Sequence, residues 1–471
     1  MRELYLTDHK IGLGWRKIGK QEFRTDKMWK FFPSVSLGWR ISEESFMKDT
    51  RSWLDNLKLR LSYGSLGNQN IDNWYQTYQT IAYNSVAGIW LQNGQKTNIT
   101  SAPGLVSALL SWEKVESYNV GLDFGFLNNR LSGSFDYYVR NTKDMVGNAP
   151  ELPAILGTGV PVTNNTDLRT NGWELQISWR DKLRNGFSYS ATFNLSDART
   201  KITRYPNNPT NSIDNYISGR YLNEIWGYET VGIAKSDDEM NKHLAVADQT
   251  SLGNNWAAGD VMYADLNGDK KITQGARTLA DHGDLKVIGN STPRYLFGLD
   301  LNASWKGFDV RAFFQGVAKR DTWLGGSWGS LEYLFGATNS GQWWSTGITA
   351  VHDYYRDANT WSVANGYQSE NTNAWLPRAT FSDKNEQCQT RYLMNAAYLR
   401  MKNLQVGYTI PRSITSKWYI QGLRVFFSAE NLFTITDMPE QFDPELIGTS
   451  AYTSNGYPLS KTFSFGINLT F

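Results

Sequence analysis

Stretches in which every second residue is large and apolar recur along this chain and constrain its fold more than any other feature. In the last of them Phe463, Phe465, Ile467, Leu469 and Phe471 alternate with small or polar residues. Successive side chains of a β-strand point to opposite faces, so a period of two predicts a strand with one apolar and one polar face. The chain is therefore predicted to be all-β.

The same alternation predicts about a dozen to fourteen strands, many of them longer than the usual five or six residues. In the run 399–410 the alternation slips by one residue, which indicates a β-bulge near Lys402 and Asn403. An even count of strands requires one further strand, which we expect around 261–266. The other predicted strands lie at 33–41, 56–64, 118–126, 131–139, 173–179, 187–195, 295–305, 308–314, 423–429 and 463–471.

Short and long connections alternate between these strands. A compact soluble domain rarely holds several long structureless loops, whereas an antiparallel transmembrane β-barrel has tight turns on one side and long loops on the other. Alternation alone would also fit a soluble sandwich with its apolar face packed inward. The short connections are 127–130, 180–186 and 305–308, and the long ones are 65–114, 143–170, 200–223, 319–396 and 434–460.

A transmembrane barrel also explains the two faces of the last strand. Every backbone N–H and C=O must be paired in a bilayer, so a β-protein can span it only as a closed barrel. The large residues from Phe463 to Phe471 would then face lipid, while Ser464, Gly466 and Asn468 would face the lumen. No stretch approaches the ~20 apolar residues of a transmembrane helix, yet aromatic residues make up 14% of the chain.

Charge and motifs exclude several classes of function. The chain has 47 Lys and Arg against 45 Asp and Glu, so its net charge of +2 gives no reason to expect a nucleic-acid partner. The single Cys388 excludes an intrachain disulfide. The sequence contains no G-x-S-x-G, no P-loop and no paired histidine motif, so we expect neither an enzyme nor a bound cofactor.

One acidic stretch has the spacing of a calcium-binding loop. Asp265, Asn267 and Asp269 alternate in DLNGDKKIT, as the ligands of a hard cation do. The sixth and twelfth positions of such a loop would be Lys270 and Ala276 rather than glycine and a carboxylate. The alternative is an Asn-Gly turn whose acidic side chains make local hydrogen bonds. These three residues are the candidate metal ligands, and calcium is the one cofactor considered.

Tryptophans crowd the longest connection, 319–396. Exposed rings could stack on sugars or contact a partner protein, since a flat apolar face with a polar edge suits such surfaces. Alternatively, the rings pack against one another and hold the loop in one shape. Trp173, Trp179 and Trp305 are expected in the aromatic girdle at the membrane surface. The loop tryptophans are Trp323, Trp328, Trp343, Trp344, Trp361 and Trp375.

Eight stretches, in order, resemble the C-terminal part of SusC/RagA-type TonB-dependent transporters, which import nutrients across the outer membrane of Bacteroidota. They cover nearly all of the chain after about residue 30. The final YPLSKTFSFGINLTF, which ends in Phe471, also resembles the C-terminal signal by which outer-membrane barrels are recognised for assembly. The stretches are 31–48, 54–71, 111–145, 171–180, 259–273, 397–411, 424–439 and 457–471.

The resemblance implies a partial barrel. Family members have ~22 strands around a plugged lumen, and nothing here resembles a signal sequence, a plug or a TonB-contacting segment. We expect a poorly defined segment at 1–30, a barrel portion at 31–471, and an extracellular loop at 319–396.

The family's function would be energised uptake of glycans or oligopeptides, shared with a SusD-like surface lipoprotein and linked to TonB only through a plug. Outer-membrane lipid would surround the strands. A self-closed passive pore and a soluble β-rich carbohydrate-binding protein are the alternatives.

Overall fold

A computed structural model gives the fold of this protein as two compact units. The first comprises Met1–Leu183 and Ser190–Leu222, and the second comprises Arg184–Tyr189 and Asn223–Phe471. The structure describes residues 2–6, 9–19, 28–68, 77–81, 83–84, 88–100, 103–107, 110–150, 153, 155, 158–323, 352–380, 382–440, 442–447 and 459–471.

The first unit is an antiparallel meander in which each long strand pairs with the next one in sequence. Two-residue strands, Tyr83–Asn84 with Ile99–Thr100 and Leu91–Gln92 with Gln95–Lys96, lie in its longest connection. Two 3-10 turns, Ile41–Glu43 and Ser45–Thr50, follow the third strand. The long strands are β1 (Arg2–Leu6), β2 (His9–Gly19), β3 (Trp29–Arg40), β4 (Leu54–Asn68), β5 (Glu113–Phe126), β6 (Leu131–Asn148), β7 (Val162–Lys182) and β8 (Ser188–Arg204).

The second unit begins with short strands and continues with long ones. β9 (Glu224–Tyr228) pairs with β12 (Leu285–Asn290), and β10 (Thr230–Ile233) pairs with β11 (Val261–Tyr263). The antiparallel meander then runs through β13 (Arg294–Trp305), β14 (Phe308–Lys319), β15 (Tyr398–Ile410), β16 (Gly422–Thr436) and β17 (Thr462–Thr470).

Helices are few and short in the described part of the second unit, and none in the described residues is long and apolar enough to cross a membrane. Asp321–Thr322 pairs with Met394–Asn395 at the two ends of the longest connection. The helices are α1 (Asp237–Leu244), α2 (Trp361–Ala364) and α3 (Arg412–Thr415), with 3-10 turns at Asp383–Asn385 and Ser416–Trp418.

The extra strand predicted around residue 261 exists but is not part of the meander. β11 pairs with the short β10, so the expectation that it would restore an even count of long strands is wrong. The chain leaves β8 after Arg204 and returns in β13 at Arg294, at the end opposite the tight turn 305–308. The other end of each of these two strands lies at a tight turn, so the alternation of strand directions needs no further strand between them.

The bulge predicted near Lys402 is confirmed. The pairing of β14 with β15 shifts register where the consecutive Phe313 and Phe314 oppose Asn403 and Met401, so Lys402 is the extra residue. Its ammonium group contacts Glu445 at 2.7 Å, and Arg400 on the same strand contacts Asp443 at 2.8 Å. Two cations from one strand thus bind the acidic segment that follows β16.

Each long strand has a turn end, where a short connection leads to its neighbour, and a loop end. The turn ends lie where the alternation predicts them, but the strands extend further at their loop ends than predicted. β7 begins at Val162 rather than near residue 173, and β6 continues to Asn148 rather than ending near residue 139. Trp173 therefore lies within a strand and not at its end, whereas Trp305 closes β13 at a turn.

One face of each meander carries large apolar side chains that are exposed. In the first unit Leu61, Val120 and Tyr137 lie opposite one another on three strands, with 38%, 49% and 45% of their surfaces exposed. In the second unit Phe465 and Ile467 on β17 are 84% and 66% exposed. We call the face of each meander that carries these side chains the apolar face. A soluble sandwich would bury such a face against a second layer.

The opposite face is polar and is tied together by ion pairs that cross strands. Arg60 on β4 donates to Asp123 on β5 at 3.0 Å and to Asp136 on β6 at 2.7 Å. Gly121 lies in register between Arg60 and Asp136. A Cβ at this glycine would lie 2.7 Å from the guanidinium carbon of Arg60, so only glycine lets the arginine cross the middle strand.

We predict that Gly121→Ala destabilises the first unit. The added methyl group must displace Arg60 or Asp136, which costs about 1–3 kcal/mol as overpacking. The measurement is the temperature at which the folded protein loses its resistance to unfolding in SDS, read as gel mobility. Gly64→Ala is the matched control, since its Cβ would have no neighbour nearer than 3.9 Å. Equal stability of the two variants would contradict the prediction.

Candidate functional site in the loop module

The long connections of the second unit fold into a compact body, which we call the loop module and define as residues 223–293 and 352–397. Tyr263 and Tyr392 within it are fully buried. The backbone N–H of Tyr228 donates to the carbonyl of Cys388 at 2.8 Å, which joins its two segments. Burial raises the pKa of the Cys388 thiol to about 12, so this cysteine is not a reactive thiolate at neutral pH. The module is held by its own core.

A buried carboxylate, Asp260, lies at the centre of this module. Its Oδ1 accepts a hydrogen bond from Arg378 at 2.7 Å and one from Asn385 at 3.0 Å. Its Oδ2 accepts from the ammonium group of Lys384 at 2.8 Å, and that ammonium group also lies 4.7 Å from the ring centre of Trp256. Asp260 lies more than a hundred residues before Arg378, Lys384 and Asn385 in sequence. We call these four groups the hub, which joins the two segments of the module.

The electrostatics of the hub follow from burial and pairing. Burial by itself would raise the pKa of Asp260, but hydrogen bonds from Arg378, Asn385 and Lys384 outweigh it and hold this pKa below its usual value. Burial lowers the pKa of Lys384, and the Asp260 carboxylate opposes that shift. Asp260 is therefore ionised at neutral pH, and the Lys384 ammonium group would be costly to bury without this carboxylate.

The candidate metal ligands lie on an exposed turn of the module. The carboxylate of Asp265 accepts backbone N–H groups from Gly268 at 2.7 Å and Lys270 at 2.9 Å, and Asn267 and Asp269 bond to each other. The described residues contain no group of three or more His, Cys, Asp or Glu side chains that could hold a metal ion. This geometry is that of the Asn-Gly turn alternative, and calcium binding stays a prediction.

Two aromatic rings of the module form an exposed stacked pair. Trp361, in α2, and Tyr367 lie with ring centres 5.4 Å apart at an interplanar angle of 18°. They are 71% and 73% exposed, so neither is a core residue. The turn at Asn365 and Gly366 reverses the chain between them. We call them the Trp361–Tyr367 platform; a flat pair of this kind can stack on a sugar ring or on a partner's side chain.

The other loop tryptophans have different surroundings. Trp375 packs edge-on against Tyr392 at 5.3 Å and accepts the Tyr392 hydroxyl on its carbonyl, which is the structural role that the alternative interpretation gave these rings. Trp323 is half-buried at the start of the connection. Trp328, Trp343 and Trp344 lie outside the described residues.

Sequence reasoning missed the hub and half of the platform. Asp260 and Lys384 are 124 residues apart, and no local pattern links them. Tyr367 could have been found, because the Asn-Gly pair at 365–366 predicts a reversal that brings it back toward Trp361.

Together, the long two-faced strands and the connections between them define part of an antiparallel β-barrel of the outer-membrane type. A family model described as "TonB dependent receptor-like, beta-barrel" matches residues 7–315, and the chain belongs to this family. The family consists of receptors and transporters of the outer membrane and not of enzymes. The predicted resemblance to SusC and RagA is confirmed.

Curated relatives come from the Bacteroidota, as predicted. "TonB-dependent receptor P3" of Formosa agariphila is 28% identical over 97% of this chain and 43% of its own length. "TonB-dependent receptor SusC" of Bacteroides thetaiotaomicron is 26% identical over 96% of this chain and 41% of its own length. The chain thus spans less than half the length of the curated relatives it matches.

A solved structure, "Structure of the RagAB peptide transporter", is similar in fold to this chain. It aligns with a TM-score of 0.74 and 25% identity, covering 99% of this chain and 46% of the other. The same complex in its "open-open" state aligns with a TM-score of 0.73 and 24% identity.

We predict that Asp260→Asn loosens the loop module. Without the carboxylate, Lys384 is a buried cation with no ionic partner, which costs about 3–5 kcal/mol. Peptide-resolved hydrogen exchange should show faster exchange in 223–293 and 352–397. Asp238→Asn, which removes an exposed ion pair with Lys242 in α1, is the control and should change nothing. Unchanged protection in Asp260→Asn would contradict the role of the hub.

The same hub predicts an acid dependence. A carboxylate whose pKa is lowered on folding contributes stability above its unfolded pKa, about 3.9, and this is lost as the pH falls through the folded value. Protection of the module, corrected for intrinsic exchange rates, should therefore fall below about pH 4 in the unmodified protein. Asp260→Asn should lack this transition.

Proposed function

We propose that this protein forms part of an importer that carries glycans or oligopeptides across the outer membrane with energy supplied through TonB. The observation that carries the proposal is the alignment of 99% of the chain with a peptide transporter of known structure at a TM-score of 0.74. The curated relative SusC is also a TonB-dependent receptor. Strands supply the wall of the pathway, and the loop module supplies the surface at which a substrate arrives.

The polar face of the strands suits a hydrated pathway. Arg60 is shared by Asp123 and Asp136, and Arg424 on β16 donates to Asp309 on β14 at 2.9 Å. Paired charges of this kind offer hydrogen-bonding groups without leaving a strong net field, which fits a neutral or zwitterionic cargo better than a strongly charged one. This supports sugars and peptides as the substrate class.

The loop module is the surface at which we place a SusD-like lipoprotein. The Trp361–Tyr367 platform is exposed on this module, which lies at the loop ends of the second unit's strands. An exposed aromatic pair is typical of the residues that dominate protein contacts and sugar stacking. Substrate would then be captured between the lipoprotein and the loops.

Uptake by the host organism tests the proposal. Deleting the gene should abolish uptake of one glycan or peptide from a labelled panel, and a TonB-deficient strain should show the same defect. Trp361→Ala with Tyr367→Ala should raise the substrate concentration for half-maximal uptake by about three- to tenfold, since an aromatic pair contributes about 0.5–1.5 kcal/mol. Trp418→Ala, an exposed tryptophan at a turn end, is the matched control and should leave uptake unchanged.

A passive pore is the competing function. It would give uptake that does not depend on TonB and steady single-channel conductance in a planar bilayer. Either result would overturn the proposal. The soluble carbohydrate-binding alternative conflicts with family membership and with the exposed apolar face.

A further inference from the structure

The apolar face of the first unit becomes cationic toward the loop ends of β7 and β8. Arg169 and Asn171 on β7 pair with Asn141 and Val139 on β6, which lie four and two residues beyond Tyr137 and so share its face. Arg199 and Lys201 on β8 share that face too, because the intervening Thr200 meets Thr170 on the opposite, polar face at 2.8 Å.

These cations line a cavity of about 480 Å³ on that face. The guanidinium of Arg199 lies 3.8 Å from the ring centre of Tyr221, which holds it in place. Arg169, Arg199 and Lys201 are exposed, whereas Asp197, the one carboxylate in the lining, is buried. Three exposed cations against one buried carboxylate leave a net positive cavity.

A second, apolar cavity lies beside it across the strands from β3 to β6, at the level of Tyr137 and Val139. This groove has a volume of about 420 Å³ and is lined by Leu61, Val120, Val139 and other residues of the apolar face. Tyr137 lines both cavities. A positive cavity and an apolar groove therefore meet at one side chain on the lipid-facing surface.

We propose that this paired cavity binds a phosphorylated lipid of the outer leaflet, with its phosphate at Arg169, Arg199 and Lys201 and an acyl chain in the groove. A lipid with an anionic headgroup and an acyl chain fits both the positive cavity and the apolar groove, whereas a free anion fits only the positive cavity. Arginine forks bind phosphate oxygens through paired hydrogen bonds. The loop ends lie on the outer side in barrels of this family, and the outer leaflet there is built from phosphorylated glycolipid.

The position along the strand agrees with a lipid headgroup. Trp173 and Tyr137 also line the positive cavity, and rings with a polar edge collect at the level of headgroups. Cations beside anionic lipid gain affinity from the negative potential at the lipid surface. The inference concerns the lipid surroundings of the barrel and does not depend on the imported substrate.

The test uses the protein purified from outer membranes in mild detergent, titrated with bisphosphorylated lipid A and followed by native mass spectrometry. Arg199→Gln with Lys201→Gln should weaken binding by about 30-fold, since each cation near an anionic lipid is worth roughly fivefold. Lys182→Gln with Arg184→Gln, at the turn end of the same hairpin, should leave binding unchanged. Retained resistance to unfolding in SDS shows that each variant is folded.

Two further ligands identify what is bound. Lipid A stripped of its phosphates should bind at least about tenfold more weakly than the phosphorylated form, and inorganic phosphate should not compete at millimolar concentration. Equal binding of the stripped lipid would show that the groove acts alone, and competition by free phosphate would show a simple anion site. Either result, or equal affinity of the two double variants, would overturn the proposal.

Discussion

An unpaired peptide group inside hydrocarbon costs several kcal/mol, and this single penalty shapes the chain. The long strands satisfy it by pairing each strand with its sequence neighbour over most of its length, as β5 and β6 do from Phe126 to Lys114. Once the backbone is paired in this way, the side chains are free to differ on the two faces. The apolar face then meets lipid, and the polar face lines water.

The polar face is itself organised by the strand spacing. An arginine side chain is long enough to pass over the neighbouring strand and reach a carboxylate on the strand beyond it, provided that the neighbouring strand has no side chain in the way. Gly121 gives Arg60 this path, and Gly407 on β15 gives Arg424 the same path to Asp309. Both units use this arrangement, in which glycine serves the packing of an ion pair and not the backbone conformation.

The loop module is organised differently from the strands. It has a small core of its own, and the hub at Asp260 joins its two segments, because Arg378 and Lys384 from one segment bind a carboxylate from the other. Such a buried ion pair contributes little net stability but strongly penalises every arrangement in which it is broken. A rigid module can hold the Trp361–Tyr367 platform in one orientation, which a loose loop could not.

The sequence predicted what local periodicity controls and missed what tertiary contacts control. The two-residue alternation of apolar and polar residues predicts the strands and their turn ends. Its slip by one residue predicts the bulge at Lys402. The loop ends of β6 and β7 run on because above the apolar layer both faces are polar, and the alternation disappears while the pairing continues. The short strand β11 is a run of three apolar residues that are all buried, and it pairs inside the module.

The orientation of the two faces can be measured directly in the last strand. With Cys388 replaced by serine, single nitroxide labels at Ser464, Phe465, Ile467 and Asn468 would be examined in lipid bilayers by electron paramagnetic resonance. We expect labels at Phe465 and Ile467 to be relaxed by oxygen dissolved in the lipid. Labels at Ser464 and Asn468 should instead respond to a water-soluble nickel chelate. The reverse assignment, or no two-residue period, would contradict the account.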